Sequence, residues 1–563
     1  MKLEDIIRKH ALKNAFDYDK ADIGSVTGKT INDYPDAKKD MKETMKLINS
    51  IVSEVNGLTR IEIEKRMEKY TYEKKEEKEK ILELPNTENV EVITRFPPEP
   101  SGYPHIGHAK AAWLNFEAAR VYEGKMLLRF DDTNPEKENL EYVKAIKKGL
   151  EWLGIKWSKE TYTSDNIPEI YDAVETLIKK HKVYVCTCSQ DVISENRQNG
   201  KECMCRNIVV DEILARWKDM IAGAYKPGDA VVRFKGDMKS QNTVMLDPTL
   251  ARIMTAEHYR QGKRFRVWPS YDLAVVFMDN AEKVTHPMRS KEYELRNELY
   301  YALFDALDYE RPTLIEFSRL AIKNAPISKR LITPLVKDKK VLGWDDPRLP
   351  TLEGLKRRGI LPEAIANFVL SLGLSKSESE PDWELLLSEN RKFLDPESKH
   401  YFFVGNPAPL IVKKLKKKVK MPIHPKKDMG FREFEVTEKV YISGNDAKDL
   451  KEGEVFRLKD LCNVKLLKKY EKELLGELVE DEMVPKKIQW VSDDWKLKCT
   501  VIIPHDLLDE KGIYVPTSLE ITEGFCEKTA GSLKPGDIIQ FERFGFCRFD
   551  RKEKDGFHFV LSC

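Results

Sequence analysis

The sequence lacks any apolar run of membrane-spanning length, and Met1 to Arg60 lacks the apolar core of a secretion signal. Together these absences lead to the expectation of a soluble, cytoplasmic protein. It also lacks an excess of charge: 96 basic residues face 94 acidic ones, so the net charge is +2 although 34% of the chain is charged. Such a balance does not make a general polyanion binder, and any nucleic-acid contact must come from local patches. Cysteine is scarce, nine residues in 563, and several are spaced C-x-C. That pattern suits a reducing compartment better than a disulfide framework. What remains is a long chain of ordinary apolar content, enough for roughly three to four domains.

The stretch Arg95 to Gly124 reads RFPPEPSGYPHIGHAKAAWLNFEAARVYEG. Val90 to Phe96 is rich in β-branched residues, and Ala109 to Tyr122 repeats apolar residues at helical spacing, so the order is strand, turn, helix. Four prolines stiffen the turn, and Gly102 admits backbone angles and close approaches closed to other residues. The helix is expected to begin between His105 and His108, where free backbone N–H groups and the positive dipole end favour phosphate. Two histidines there add donors beside that phosphate. An H-x-x-H pair alone reads as well as two ordinary histidines in a proline-rich connection; the whole stretch decides against that.

RFPPEPSGYPHIGHAK resembles the HIGH motif of class I aminoacyl-tRNA synthetases, in the form shared by glutamyl and glutaminyl enzymes of the archaeal and eukaryotic kind. The resemblance implies an α/β Rossmann-type core split by an acceptor-stem-binding insertion, with C-terminal all-β anticodon-binding barrels. It implies amino-acid activation with ATP and Mg²⁺, then transfer to tRNA. His105 and His108 would act on the α-phosphate, with Pro98, Glu99 and Gly107 also on ATP.

Further blocks follow in order. In Lys125 to Glu138, KMLLRFDDTNPEKE, Met126 to Phe130 fits the next strand, and Asp131 and Asp132 fall at its carboxyl end, where doubly wound sheets bind ligands. By resemblance Asp131 holds the α-amino group. Tyr271 opens an apolar run to Met278 that suits a buried strand or helix; alone it reads as a half-buried core tyrosine, and by resemblance it lines the amino-acid pocket. Ile327-Ser328-Lys329-Arg330 is similar to the KMSKS-type loop, where Ser328, Lys329 and Arg330 would meet ATP. A mobile lysine there can stabilise charge as pyrophosphate leaves.

Arg289 bears on the substrate. A guanidinium offers a planar fork that binds a carboxylate bidentately and keeps its charge. Glutamate presents two carboxylates, Arg95 is the second candidate, and the sequence does not say which arginine takes which. In glutamine-specific relatives the position matching Arg289 is usually not arginine, so the resemblance favours glutamate and tRNA(Glu), with tRNA(Gln) an open second acceptor. The rivals are a glutaminyl enzyme, disfavoured by Arg289, and a non-catalytic tRNA-binding relative, against which the intact HIGH and ISKR segments count.

The expected organisation runs as follows. Residues 1–85 form a helical domain, with Leu47, Ile48, Ile51 and Val52 among its apolar positions and a charged run, Glu62 to Lys80, read as a solvated face or linker. Residues 86–205 are the first catalytic half, 206–260 the insertion, 261–345 the second half, 346–400 a helical connection and 401–563 the barrels. Within the insertion, Asp211 to Ile253 reads as short strands and turns. Cys186, Cys188, Cys203 and Cys205 can make a tetrahedral zinc site, but one-residue spacing is not that of a standard ribbon, so reduced, unliganded thiols are an equal alternative. Val412 to Lys427, with eight lysines, reads as a phosphate-contacting patch or a solvated strand edge.

Overall fold

A computed structural model describes residues 2–18, 20–58, 60–67, 69–70, 82–378, 380–480 and 484–563. The chain divides into two compact units, Met1–Glu79 and Lys80–Cys563. Among the described residues no helix is long and apolar enough to cross a membrane.

The first unit holds α1 (Leu3–Tyr18), α2 (Ile23–Asp33), α3 (Met41–Asn56) and α4 (Arg60–Met67). Asp22 and Asp40 accept from the N–H groups of Ser25 and Glu43 at 2.8 and 3.1 Å, satisfying donors that a first helical turn leaves unpaired. Ile48, Ile51, Val52 and Val55 share one face of α3 and pack against Ile7, Leu12 and Val26. Of the charged run Glu62 to Lys80, the start lies on α4, and residues 71–81 are outside the described ones.

The second unit begins with β1 (Ile93–Phe96), α5 (Ile106–Val121), β2 (Lys125–Phe130), α6 (Leu140–Trp152) and β3 (Lys159–Tyr162). The three strands pair in sequence order, all parallel. Ile106, Ala109 and Ala112 of α5 and Val143, Ile146 and Leu150 of α6 share one core with Leu128 and Phe130 of β2.

Next come α7 (Ile167–Lys179), β4 (Val183–Cys186), α8 (Gln190–Gln198), α9 (Val210–Ala222), β5 (Val231–Phe234), β6 (Thr249–Ile253) and β7 (Val267–Pro269). The strands β4 to β7 make a four-stranded antiparallel sheet. β4, which falls in the stretch 86–205 expected for the first catalytic half, thus joins β5 of the stretch 206–260 and not the parallel sheet. Strand partners this far apart leave no local mark in a sequence. A correction concerns Val210–Ala222, which is helical and not short strands. Ile213, Trp217 and Met220 bury one helical face, and Gly223, at φ 90°, ends the helix in the left-handed region.

The chain then returns to the first sheet through α10 (Tyr271–Ala281), β8 (Met288–Ser290), α11 (Asn297–Ala306) and β9 (Ile315–Phe317). The N–H groups of Thr285 and His286 donate to the Ile93 carbonyl at 3.0 and 3.1 Å, which sets β8 beside β1, and β8 pairs in parallel with β9. The crevice between β1 and β8 is the point where the strand order reverses, the place where such sheets bind ligands. After α12 (Lys329–Lys337), the connecting region holds α13 (Leu352–Arg358), α14 (Pro362–Leu372) and α15 (Trp383–Leu394). Lys356 to Leu372 is thus two helices, broken where Gly359 turns at φ 87° and Pro362 starts the next.

From Lys399 on, the chain is β-rich and forms two seven-stranded sheets. In one, the edge strands are Lys399–Tyr401 and Phe403–Gly405; in the other they are Lys487–Ile488 and Val491–Ser492. Each pair of edges is contiguous in sequence, so each sheet curls until its edges meet, leaving no open edge for another chain to pair with. The first barrel takes its remaining strands from Lys496 to Leu561, so the second is spliced into the first. In the lysine-rich stretch, Lys418 and Lys420 pair across a hairpin with Glu435 and Glu433 at 3.8 and 2.8 Å.

Asn390, fully buried, ties the connecting helices to the last strand: Oδ1 accepts from Leu361 N–H at 2.9 Å, and Nδ2 donates to Gly359 O and Ser562 Oγ at 3.0 Å each. Replacing it with alanine strands those groups, at a cost of about 2–3 kcal/mol. Asn390→Ala should therefore unfold at lower urea concentration than the parent by circular dichroism, and an unchanged midpoint would count against this role.

Candidate active site

A cavity of about 690 Å³ opens at the carboxyl ends of β1 and β8. One end is built by the turn before α5. His105 is the N-cap of that helix; its Nδ1 accepts from Gly107 N–H at 3.1 Å, and His108 Nδ1 accepts from His105 N–H at 3.2 Å. Each ring thus takes a backbone donor on Nδ1, so in the neutral form its hydrogen sits on Nε2. Burial holds His108 down at about 4, and burial with the neighbouring His108 and Arg319 holds His105 well below its ordinary 6.5. Both rings are neutral donors at neutral pH. Gly107 is required by this packing, since a Cβ there would stand 2.9 Å from His105 Cε1. Pro98, Glu99, His105, Gly107 and His108 all line the cavity.

Arg95, Asp131, Tyr271 and Arg289 line the other end. Arg95 is spent: Nε and Nη2 donate to the two oxygens of Asp279 at 3.0 and 3.3 Å, and Nη1 donates to Met288 O at 2.6 Å. Arg289 is not. It is 5% exposed, lies over the Tyr300 ring at 4.9 Å, and donates to Asn297 Oδ1 through Nη2, while its buried Nε has no partner among the described residues. Asp131 accepts from Thr163 Oγ1 at 2.8 Å, and burial pushes its carboxyl up despite Arg129 nearby. Tyr271, the first residue of α10, packs on Tyr293, and burial raises its hydroxyl to about 12.

Ser328, Lys329 and Arg330 are not on the cavity wall. Ser328 is the N-cap of α12, and Lys329 donates to the Ser101 carbonyl, on the rigid turn that carries Pro98 and Glu99.

Several residues here went unread in the sequence. Asp279 takes Arg95, Arg129 and the Tyr300 hydroxyl. Asn297 stands against Arg289. Beside Asp131, Ser164 and Tyr259 donate to buried Asp132, which the sequence places only at a strand end, and His258 Nε2 lies 3.4 Å from Glu138 Oε2. Asp279 lies within an apolar helical run, where a lone acidic residue was the available signal.

Three family models cover this architecture. The catalytic domain of class I tRNA synthetases (E and Q) matches residues 91–396, and two anticodon-binding domains of the same group match 398–483 and 487–550. The chain belongs to this synthetase family. It is 45% identical to a glutamate–tRNA ligase of Nitrosopumilus maritimus, over 97% of this chain and 98% of that protein. It is 38% identical to one of Pyrococcus furiosus, over 99% and 98%. A solved glutamate tRNA ligase of Elizabethkingia meningosepticum aligns with 55% of this chain and 70% of its own, at 21% identity and a TM-score of 0.41. The synthetase's catalytic match ends at 396, just before the first barrel strand at Lys399.

In the synthetase's insertion, the Sγ atoms of Cys186, Cys188, Cys203 and Cys205 all lie within 4.8 Å of one another. Cys186–Cys203, Cys188–Cys203 and Cys188–Cys205 stand at 3.5, 3.2 and 3.9 Å. Sulfurs about 2.3 Å from one zinc would be spaced like this, so the donor set fits a tetrahedral ion. Burial pushes Cys186 and Cys203 up to about 11; at Cys205 burial acts the same way but is outweighed by hydrogen bonds from Thr187 and the neighbouring thiols, giving about 7.

The buried neutral histidines make a pH prediction. An unfolded chain protonates its histidines below about 6.5, whereas folded His108 resists until about 4, so stability present above 6.5 is lost as the pH falls. Thermal melts of the parent and His108→Asn should differ less in the parent's favour at pH 5 than at pH 7. A gap independent of pH would show that His108 titrates normally.

Proposed function

We propose that this protein joins L-glutamate to the 3′ end of tRNA(Glu) in two ATP-driven steps, through glutamyl-adenylate. The observation that carries the reading is Arg289: a buried guanidinium with an unspent Nε, facing the cavity whose other end is a helix N-terminus flanked by two neutral histidines. Relatives that the chain matches over nearly its whole length bear the name glutamate–tRNA ligase.

Arg289 takes a carboxylate of glutamate, and Asp131 takes its ammonium, regaining the charge that burial disfavours. Arg95, already paired with the Asp279 carboxylate, is the support behind the pocket and not the second carboxylate ligand. Tyr271 closes the wall beside them. In the first step the α-carboxylate attacks the α-phosphate of ATP and pyrophosphate leaves. His105 and His108 donate Nε2–H groups to the phosphate oxygens, and the first N–H groups of α5 add their dipole. Pro98, Glu99 and Gly107 shape the nucleotide side. Mg²⁺ accompanies ATP, held mostly by phosphates and water.

Lys329 serves this step by leaving the Ser101 carbonyl for the departing phosphates, with Ser328 and Arg330 moving alongside it. In the second step the terminal ribose hydroxyl of tRNA attacks the activated carbonyl, and AMP leaves. Neither step needs a covalent enzyme intermediate. The four cysteines hold a structural zinc that fastens the loop between β4 and α9; the ion takes no part in the chemistry.

Four measurements test this reading. Arg289→Cys should erase most of the preference for glutamate over glutamine in a charging assay, and an unchanged preference would refute Arg289 as the carboxylate reader. Single-turnover adenylate formation, with tRNA present, should fall by about 100-fold or more in His108→Ala and Lys329→Ala while circular dichroism stays that of the parent. Offering tRNA(Glu) and tRNA(Gln) in the same charging assay reads out acceptor choice. Purified protein should carry about one zinc per chain, whereas less than about half an equivalent with four titratable thiols would remove the metal.

A further inference from the structure

The strands β8 and β9 run parallel in a register that places Arg289 opposite Glu316. An arginine and a buried glutamate so placed would ordinarily form a direct ion pair, yet Arg289 has no carboxylate within ion-pair distance among the described residues. Asn297, the first residue of α11, stands between them. Its Oδ1 accepts from Arg289 Nη2, and its Nδ2 donates to Glu316 Oε1 at 2.8 Å. The other oxygen of Glu316 accepts from Lys376 Nζ at 2.5 Å.

We propose that Asn297, Glu316 and Lys376 form a relay that orients Arg289 without neutralising it, and so act as positioning residues for glutamate specificity. The proposal rests on Arg289 as the carboxylate reader. Each member has a distinct part. The amide presents oxygen to the guanidinium and nitrogen to the carboxylate, so the order Arg, Asn, Glu is satisfied in one direction only. Lys376, half-exposed on the segment after α14 and off the cavity wall, balances Glu316. That balance removes the reason for Glu316 to turn toward Arg289.

What remains on Arg289 is a contact with a neutral oxygen and an aromatic face. A buried cation in that state is short of a counter-charge, and a substrate carboxylate supplies it where a carboxamide cannot. Specificity thus depends partly on a lysine outside the pocket.

Asn297→Asp tests the relay, since it is nearly isosteric but gives Arg289 a carboxylate of its own. Charging kinetics with glutamate and glutamine, in the presence of tRNA, should show the glutamate KM rising roughly 10- to 100-fold while the ATP KM stays within about twofold. The glutamate-to-glutamine ratio of kcat/KM should fall with it. Lys376→Met, a surface change, should move both quantities in the same direction by less. In an Arg289→Cys background, Asn297→Asp should alter the ratio no further. If Arg289→Cys collapses the ratio but Asn297→Asp and Lys376→Met leave glutamate KM and ratio at parental values, the relay is overturned and the carboxylate reader stands. If Arg289→Cys itself changes nothing, the carboxylate reading fails and the relay fails with it.

Discussion

Asp279 receives Nε and Nη2 of Arg95, Nη2 of Arg129 and the Tyr300 hydroxyl on a single buried carboxylate. Burial alone would raise its pKa; the two guanidiniums outweigh that and hold it below the usual carboxylate range. Through these bonds α10 is fastened to β1, β2 and α11, the four elements that frame the amino-acid end of the cavity. The same bonds decide which arginine is available. With Arg95 paired to Asp279, and Tyr300 fixed as the platform beneath Arg289, Arg289 is the one of these two guanidiniums left without a carboxylate among the described residues. Removing Asp279 would strip buried Arg95 of its carboxylate and leave Arg129 with Glu282 alone, a loss of several kcal/mol that would fall on fold and pocket together.

The nucleotide end works by a different economy of charge. It lines up neutral donors, two Nε2–H groups and the opening N–H groups of α5, rather than cations. Neutral donors in a buried site cost less to keep in place before a ligand arrives, and in the proposed reaction they would meet charge that grows as the phosphate becomes five-coordinate. Gly107 is what lets the ring of His105 fold back on the helix start. Within this turn the sequence, the cap and the electrostatics therefore agree.

Much of this was legible because its signals are local. The β1–turn–α5 unit, the strand ending at Asp131, and the alternation of short runs after Lys399 are written in neighbouring residues, and the HIGH and ISKR resemblances rest on contiguous blocks. What was hidden is non-local. Val183 to Cys186 finds its partner in Val231 to Phe234, across the boundary expected after residue 205. Asp279 and Arg95 are 184 residues apart. The α9 helix was misread because its buried positions, Ile213, Trp217 and Met220, lead straight into a turn-rich segment whose texture was extended backward over them. At the site, the pairing of each residue was not legible: whether an arginine has a carboxylate partner depends on residues that only the fold brings together.

Occupancy also explains the place of Lys329. Its side chain passes over Gly102, where an added Cβ would lie 3.3 Å from Lys329 Cδ, and its ammonium meets the Ser101 carbonyl while facing the Tyr142 ring at 5.0 Å. Trp344 stacks on Tyr103 at 5.1 Å beside it. The lysine is thus fastened to the same turn whose Pro98 and Glu99 line the cavity. That turn holds four prolines and has little freedom, so it cannot bring phosphate to the lysine. The adjustment falls to the residues between β9 and α12, which form no regular element, while Lys329 itself is held to the turn through one acceptor, the Ser101 carbonyl. A backbone carbonyl is a weaker partner for an ammonium than a polyphosphate, so in the proposed reaction ATP is what would supply the free energy for the exchange.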